Sequence, residues 1–184
     1  MAEINFLTKY QKATERDYVK RVLDGDKAAC AKVAKKWGKD YWDGNRKYGY
    51  GGYHYDGRWR PVAEDMVKYF DLKTGDKVLD IGCGKAFLLY ELTQVVPGLE
   101  VHGLDISKYG IAHAKEEIRE HLKLGDCTSL PWKDNSFDFV ISINTFHNLE
   151  IFGLEKAIKE MQRVSKSKAW LCVESYRNEV EKAN

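Results

Sequence analysis

Apolar and polar positions follow one rhythm before Lys77 and another after it. In the first part the spacing is helical. Thr14-Glu15-Arg16-Asp17 has the form of a capping box, and Val19, Val22 and Leu23 continue at helical intervals up to Gly25. A second helix is predicted from Asp26 through the alanines and Val33 to Trp37, stopped by Gly38. From Tyr41 to Gly57 no period survives, which predicts a loop rich in Tyr and Gly. Pro61 suits the first turn of a further helix carrying Val62, Met66, Tyr69 and Phe70.

After Lys77 short apolar runs alternate with helical segments. Strands are predicted at Lys77 to Ile81, Val101 to Leu104, His121 to Leu124, Phe137 to Ile143 and Ala169 to Glu174. Between them lie helices from Ala86 to Val95, from a Ser107 cap to about Arg119, and from Glu155 to Val164. Nearly all-apolar strands alternating with helices imply an α/β fold, with a mainly parallel sheet covered on both faces. Residues 1–72 read as a helical extension with a lid-like loop, and 73–184 as the core, in one compact domain overall.

Composition narrows the class. With 43% hydrophobic and 32% charged residues the chain reads as an ordinary globular protein, and a net charge of +2 is too small to argue for nucleic acid. Cys30, Cys83, Cys127 and Cys172 lie far apart, with neither metal-ligand spacing nor a disulfide framework, so reduced thiols in the cytoplasm are expected. Met1 to Tyr10 is too poor in apolar residues for a signal peptide, and no run approaches membrane-spanning length. Lys32, Lys35, Lys36 and Lys39 read as a solvated helix face.

Candidate chemistry gathers where the strands end. Val78-Leu79-Asp80-Ile81-Gly82-Cys83-Gly84-Lys85-Ala86 turns a strand through two glycines into a helix, which lets backbone approach a ligand closely. Asp105 closes the second strand, where a carboxylate can accept from both ribose hydroxyls, and Asp126 follows the third. Three acids at one end of consecutive strands mark a shared ligand crevice.

These segments resemble the class I S-adenosylmethionine-dependent methyltransferases, over roughly Lys73 to Glu174. Val78 to Gly84 looks like the family's first motif, Leu104-Asp105-Ile106-Ser107 its second, Gly125-Asp126-Cys127 through Trp132 its third, and Ser136 to Val140 with Asn144 its fourth. The resemblance implies a Rossmann-like doubly wound sheet and S-adenosyl-L-methionine as cofactor. It implies that Gly82 and Gly84 let the backbone face the methionine part, with Asp80 and Cys83 also among the cofactor-binding residues, that Asp105 holds the ribose, and that Ile106 packs on adenine. Asp126 would accept from the adenine amino group, Cys127 meet the ring through its backbone, and Asn144 lie beside the sulfonium; Asp138 reads as structural. Ala86 replaces a frequent third glycine. A dinucleotide fingerprint beginning at Gly82 would need glycine at position 87, where Phe87 stands, and Asp80 suits a cationic ligand better than a phosphate.

The expected activity is methyl transfer to a small molecule, with oxygen preferred over nitrogen as acceptor. Asn144-Thr145-Phe146-His147 lacks the prolines of the Asn-Pro-Pro-Tyr-like tetrad of nucleic-acid amino methyltransferases. His147 is the candidate base. Tyr48, Tyr50 and Tyr53, among the glycines of the Tyr41 to Trp59 loop, are candidate lid or substrate contacts. Beside Arg46, Lys47, Arg58 and Arg60 these aromatics can also grip an anion or stack on nucleic acid. The rival readings are a cofactor-binding partner subunit without turnover and an RNA or protein methyltransferase. The family's sheet usually has seven strands and five are predicted here, so its last two are expected to be missing. Ala169 to Val173 then forms an apolar edge, to be covered by a second copy, by the tail or by the amino-terminal segment.

Overall fold

The computed structural model describes residues 4–12 and 26–173, so the helix expected from Thr14 to Gly25 lies outside the described residues. Five strands, β1 (Lys77–Ile81), β2 (Glu100–Asp105), β3 (Leu122–Leu124), β4 (Phe137–Ile143) and β5 (Ser165–Cys172), form one sheet in the order β3-β2-β1-β4-β5. Every pairing is parallel. The chain runs outward from β1 to β2 and β3, then returns to the other side of β1 for β4 and β5. The order therefore reverses between β1 and β4, and a crevice opens at their carboxyl ends, where ligands bind such sheets.

Helices cover both faces. On one face lie α1 (Thr8–Lys12), α4 (Arg60–Phe70) and α5 (Phe87–Val95). Phe6, Leu7, Val62, Met66, Leu88 and Leu92 there meet Val78, Val101, Phe139 and Ile141 in one core. On the other, α8 (Ile151–Val164) presents Ala157, Met161 and Val164 to Leu79, Ile81, Val140 and Phe137. Adjacent residues such as Val78 and Leu79 in β1, and Phe139 and Val140 in β4, thus point into opposite cores, which is why both strands are mainly apolar. The first part of the chain packs into the same core as the sheet, through Phe6, Leu7 and α4.

Local signals explain most boundaries. Asp26 caps α2 (Lys27–Ala34), its carboxylate accepting from the amides of Ala28 and Ala29. Pro61 sits in the first turn of α4, and Asp71 ends that helix in the left-handed conformation. Ser107 caps α6 (Lys108–Ala112) as expected, but the helix does not reach Arg119 without a break. The amide of His113 bonds to the carbonyls of both Tyr109 and Gly110, Lys115 is extended, and α7 (Glu116–Arg119) starts afresh.

Two starts are earlier than the apolar pattern indicates. α8 begins at Ile151 after the Glu150 cap, although Ile151 and Phe152 are more than three-quarters exposed. β5 begins at Ser165, because Ser165 and Lys168 pair with Phe137 and Phe139 across an irregular register. Of the covers expected for β5, the amino-terminal segment packs on its face: the Trp170 indole donates to the Ile4 carbonyl at 3.1 Å, and the Phe6 ring lies edge-on at 5.2 Å. The outer backbone edge of β5 pairs with no strand among the described residues. No described helix is long and apolar enough to cross a membrane.

Candidate functional site

The turn after β1 builds the centre of the crevice. The amides of Gly82 and Cys83 both donate to the Leu104 carbonyl, at 2.7 and 3.2 Å, which pins the turn to the end of β2. Gly82 has φ +83°, and a Cβ there would fall 1.9 Å from Thr145 Oγ1; Gly84 has φ +57°, and a Cβ there would meet the Trp42 ring at 2.5 Å. Only glycine satisfies both the dihedral and the close approach at these two positions.

Asp105 ties the loops together. One carboxylate oxygen accepts from the Gly84 amide at 2.7 Å, and the other from the Ser107 amide at 2.6 Å. Burial raises its pKa, against the lowering effect of these two amides. Each oxygen keeps a second lone pair for a ligand hydroxyl.

Asp80 differs from every other acid of the site. It is 5% exposed, and its Oδ1 is buried without a hydrogen-bond partner. Burial, with the charge of Asp105 nearby, pushes its pKa up to about 7. A buried carboxylate without a partner asks for a cation or a donor from a ligand.

Two cavities meet at this turn. A larger one, about 270 Å³, is lined by Asp105, Ile106, Asp126, Cys127, Leu104 and Asn148, with Trp37 and Tyr41 opposite. A smaller one, about 110 Å³, is lined by Asp80, Cys83 and Gly84, with Tyr10, Tyr53, Trp59 and Phe87 around it. Trp42, Tyr50, Gly82, Ile143 and Asn144 line both. The larger cavity brings the acids after β2 and β3 to one side, with Ile106 61% exposed at its rim. Asp126 is exposed and accepts from the Thr128 amide at 2.7 Å. Asn144 has φ +50°, and its backbone amide donates a hydrogen bond to the Cys172 carbonyl at 2.7 Å.

The segment expected as a loop is a strap docked on the core. It opens with α3 (Lys39–Trp42), and the amides of Tyr50 and Gly52 return to the carbonyls of Tyr41 and Trp42. Lys85, 3% exposed, donates to both oxygens of Asp43 at 2.8 Å and to the Tyr53 carbonyl at 2.7 Å. Burial pushes the Asp43 pKa up, but Lys85, the Tyr53 amide and the Tyr109 hydroxyl overcome this and hold it below the usual carboxylate range. At the far end the Tyr55 hydroxyl donates to the buried Glu91 at 2.7 Å.

The structure therefore brings Asp80, Gly82, Cys83, Gly84, Asp105, Ile106, Asp126, Cys127, Asn144, Tyr50 and Tyr53 onto the walls of two joined cavities. Tyr48 and His147 line neither. Tyr48 carries Lys47 over its ring, and exposed His147 donates from Nδ1 to the Val173 carbonyl at 3.0 Å. Trp42, Trp59, Tyr10 and the Lys85–Asp43 pair escaped sequence reasoning. Only the aromatic density of the strap hinted at the tryptophans, and Tyr10 lies in a stretch read for its lack of apolar residues.

The chain is 35% identical over 115 residues to a demethylmenaquinone methyltransferase of Anoxybacillus flavithermus, a match covering 59% of this chain and 46% of that protein. It is 34% identical over 121 residues to a sterol 24-C-methyltransferase of Gibberella zeae, covering 59% and 31%. The chain thus spans less than half the length of these curated relatives. Among solved structures, a protein of Pyrococcus horikoshii superposes with a TM-score of 0.55 at 29% identity, over 72% of this chain and 60% of that one. Residues 72–184 match the family model of a methyltransferase domain. Because that match takes in more than half of its length, the chain belongs to the methyltransferase-domain family.

Proposed function

We propose that this chain binds S-adenosyl-L-methionine across the two joined cavities and transfers the methyl group to a small-molecule acceptor. The observation that carries the reading is Asp80, a buried carboxylate with an unpartnered oxygen on the wall of the smaller cavity. The residues fit the cofactor. Asp80 would take its ammonium group, Asp105 the ribose hydroxyls, Ile106 and the Cys127 backbone the adenine ring, and Asp126 its amino group. Asn144, on the shared wall, would face the sulfonium.

The cofactor supplies an activated methyl group, and the protein's part is to align the acceptor with it. Alignment of this kind contributes roughly 7–11 kcal/mol to lowering a barrier. The strap brings Tyr50 and Tyr53 to the cavity walls, where they would shield the reacting groups from water. The names of the two relatives, demethylmenaquinone and sterol methyltransferase, support a small-molecule acceptor. Oxygen is preferred over nitrogen because residues 144–147 lack the proline tetrad. For an oxygen acceptor His147 is the candidate base. A carbonyl only accepts, so in the bond to Val173 Nδ1 is the donor, and Nε2 of the neutral ring is left as an acceptor.

Titration calorimetry with S-adenosyl-L-methionine tests cofactor binding, and mass detection of methylated products from metabolite pools tests transfer. Binding together with a cofactor-dependent product is expected. No binding at pH 8 refutes the cofactor assignment, and binding without any product across the pools refutes turnover by this chain.

A further inference from the structure

Five residues line both cavities, and two of them, Trp42 and Tyr50, are aromatic. Their rings stack in parallel and offset, with centroids 5.2 Å apart and planes within 2°. Tyr53 lies 4.6 Å from Tyr50 and 5.7 Å from Trp42. Trp42 is 6% exposed, and its indole N–H donates to Ser107 Oγ at 2.8 Å, so its orientation is set before any ligand arrives.

Charge points the same way. Among the described residues neither cavity is lined by Lys, Arg or His, whereas Asp80, Asp105 and Asp126 all lie on the walls. The nearby cation, Lys85, is engaged by Asp43 and the Tyr53 carbonyl. An aromatic face carries negative electrostatic potential, so stacked rings beside carboxylates favour a cation.

The cofactor reading proposed above determines which cation. If the adenosyl group lies beside Asp105 and Asp126 and the ammonium beside Asp80, the sulfur joining those halves must cross the wall the cavities share. We propose that Trp42 and Tyr50 make this junction selective for charge, so that the chain holds the sulfonium cofactor more tightly than its neutral thioether product. In the transfer step the acceptor's lone pair forms the new bond to the methyl carbon, and the pair of the broken carbon–sulfur bond returns to sulfur. The positive charge passes from sulfur to the acceptor, which sheds it as a proton to solvent, and the attraction of the rings is lost with it. Trp42 and Tyr50 thereby favour product release and limit product inhibition.

Calorimetry at pH 8 with S-adenosylmethionine, S-adenosylhomocysteine and an analogue bearing a charged amine in place of the sulfonium tests this. The wild-type protein should bind the two charged ligands at least about tenfold more tightly than the thioether. Trp42→Leu and Tyr50→Leu should each narrow that ratio severalfold, while Tyr50→Phe, which keeps the ring, preserves it. Asp80→Asn should weaken all three ligands together, since each carries the same ammonium group. Equal wild-type affinity for charged and neutral ligands overturns the proposal without any variant. So does an unchanged ratio in a folded Tyr50→Leu protein. If none of the three binds, the cofactor reading falls and this inference falls with it.

Discussion

Asp80 makes cofactor binding and stability respond to pH in opposite directions. Its pKa in the ligand-free protein is about 7, against an ordinary value of 3.8, because burial and Asp105 disfavour the charged form. A ligand ammonium beside it needs the carboxylate ionised. Below pH 7 binding must therefore displace a proton, and affinity should fall about tenfold per pH unit, or about thirtyfold at pH 5.5 relative to pH 8.

Stability runs the other way. A folded-state pKa above the unfolded value favours the protonated, folded protein, and this contribution is full below about pH 4. It is lost as pH rises through about 7. The shift of about three units corresponds to roughly 4 kcal/mol at most. Asp80→Asn removes the charge while keeping the shape. That variant should melt higher than wild type at pH 8 in the absence of ligand, and no higher at pH 4. It should also bind cofactor weakly, with no pH dependence from this site. Thermal unfolding with and without cofactor from pH 4 to 8, with calorimetry over pH 5.5 to 8, measures both limbs. Flat wild-type affinity over pH 5.5 to 8, or a variant that melts lower than wild type at pH 8, would refute the reasoning.

Other consequences are open to direct measurement. Asp105→Ala removes the carboxylate that joins the Gly84 and Ser107 amides, and cofactor affinity should drop at least about tenfold by calorimetry. Lys85→Met leaves Asp43 without its cation. Chemical denaturation should show a loss near the lower end of the roughly 3–5 kcal/mol range for broken buried pairs, with faster amide exchange over residues 43–55. His147→Ala should lower turnover with little change in cofactor affinity; unchanged turnover removes it as the base. The outer edge of β5, which pairs with no strand among the described residues and leaves Leu171 and Val173 exposed, should drive self-association of the 184-residue chain, visible as concentration-dependent light scattering.

Much of this architecture follows from local pattern. β1 and β4 have the bounds that their apolar runs predict, because strands covered on both faces are mainly apolar. The Gly82 and Gly84 turn and the acids after the strands could also be read along the chain, because their chemistry depends on position in a strand–turn–helix unit. Other boundaries depended on distant partners. Ser165 to Lys168 joins β5 through pairing with β4, and the segment from Ser107 to Arg119 breaks where competing backbone bonds and extended Lys115 end α6. The strap shows the limit most plainly. Its residues have no period, so the sequence by itself determined only that it was aromatic and rich in glycine. The tertiary structure decided that Asp43 meets Lys85, that the Trp42 indole reaches Ser107, and that Tyr10 and Trp59 join the smaller cavity. Contacts between residues 42 and 65 positions apart arise from the closing of the fold, and no local periodicity encodes them.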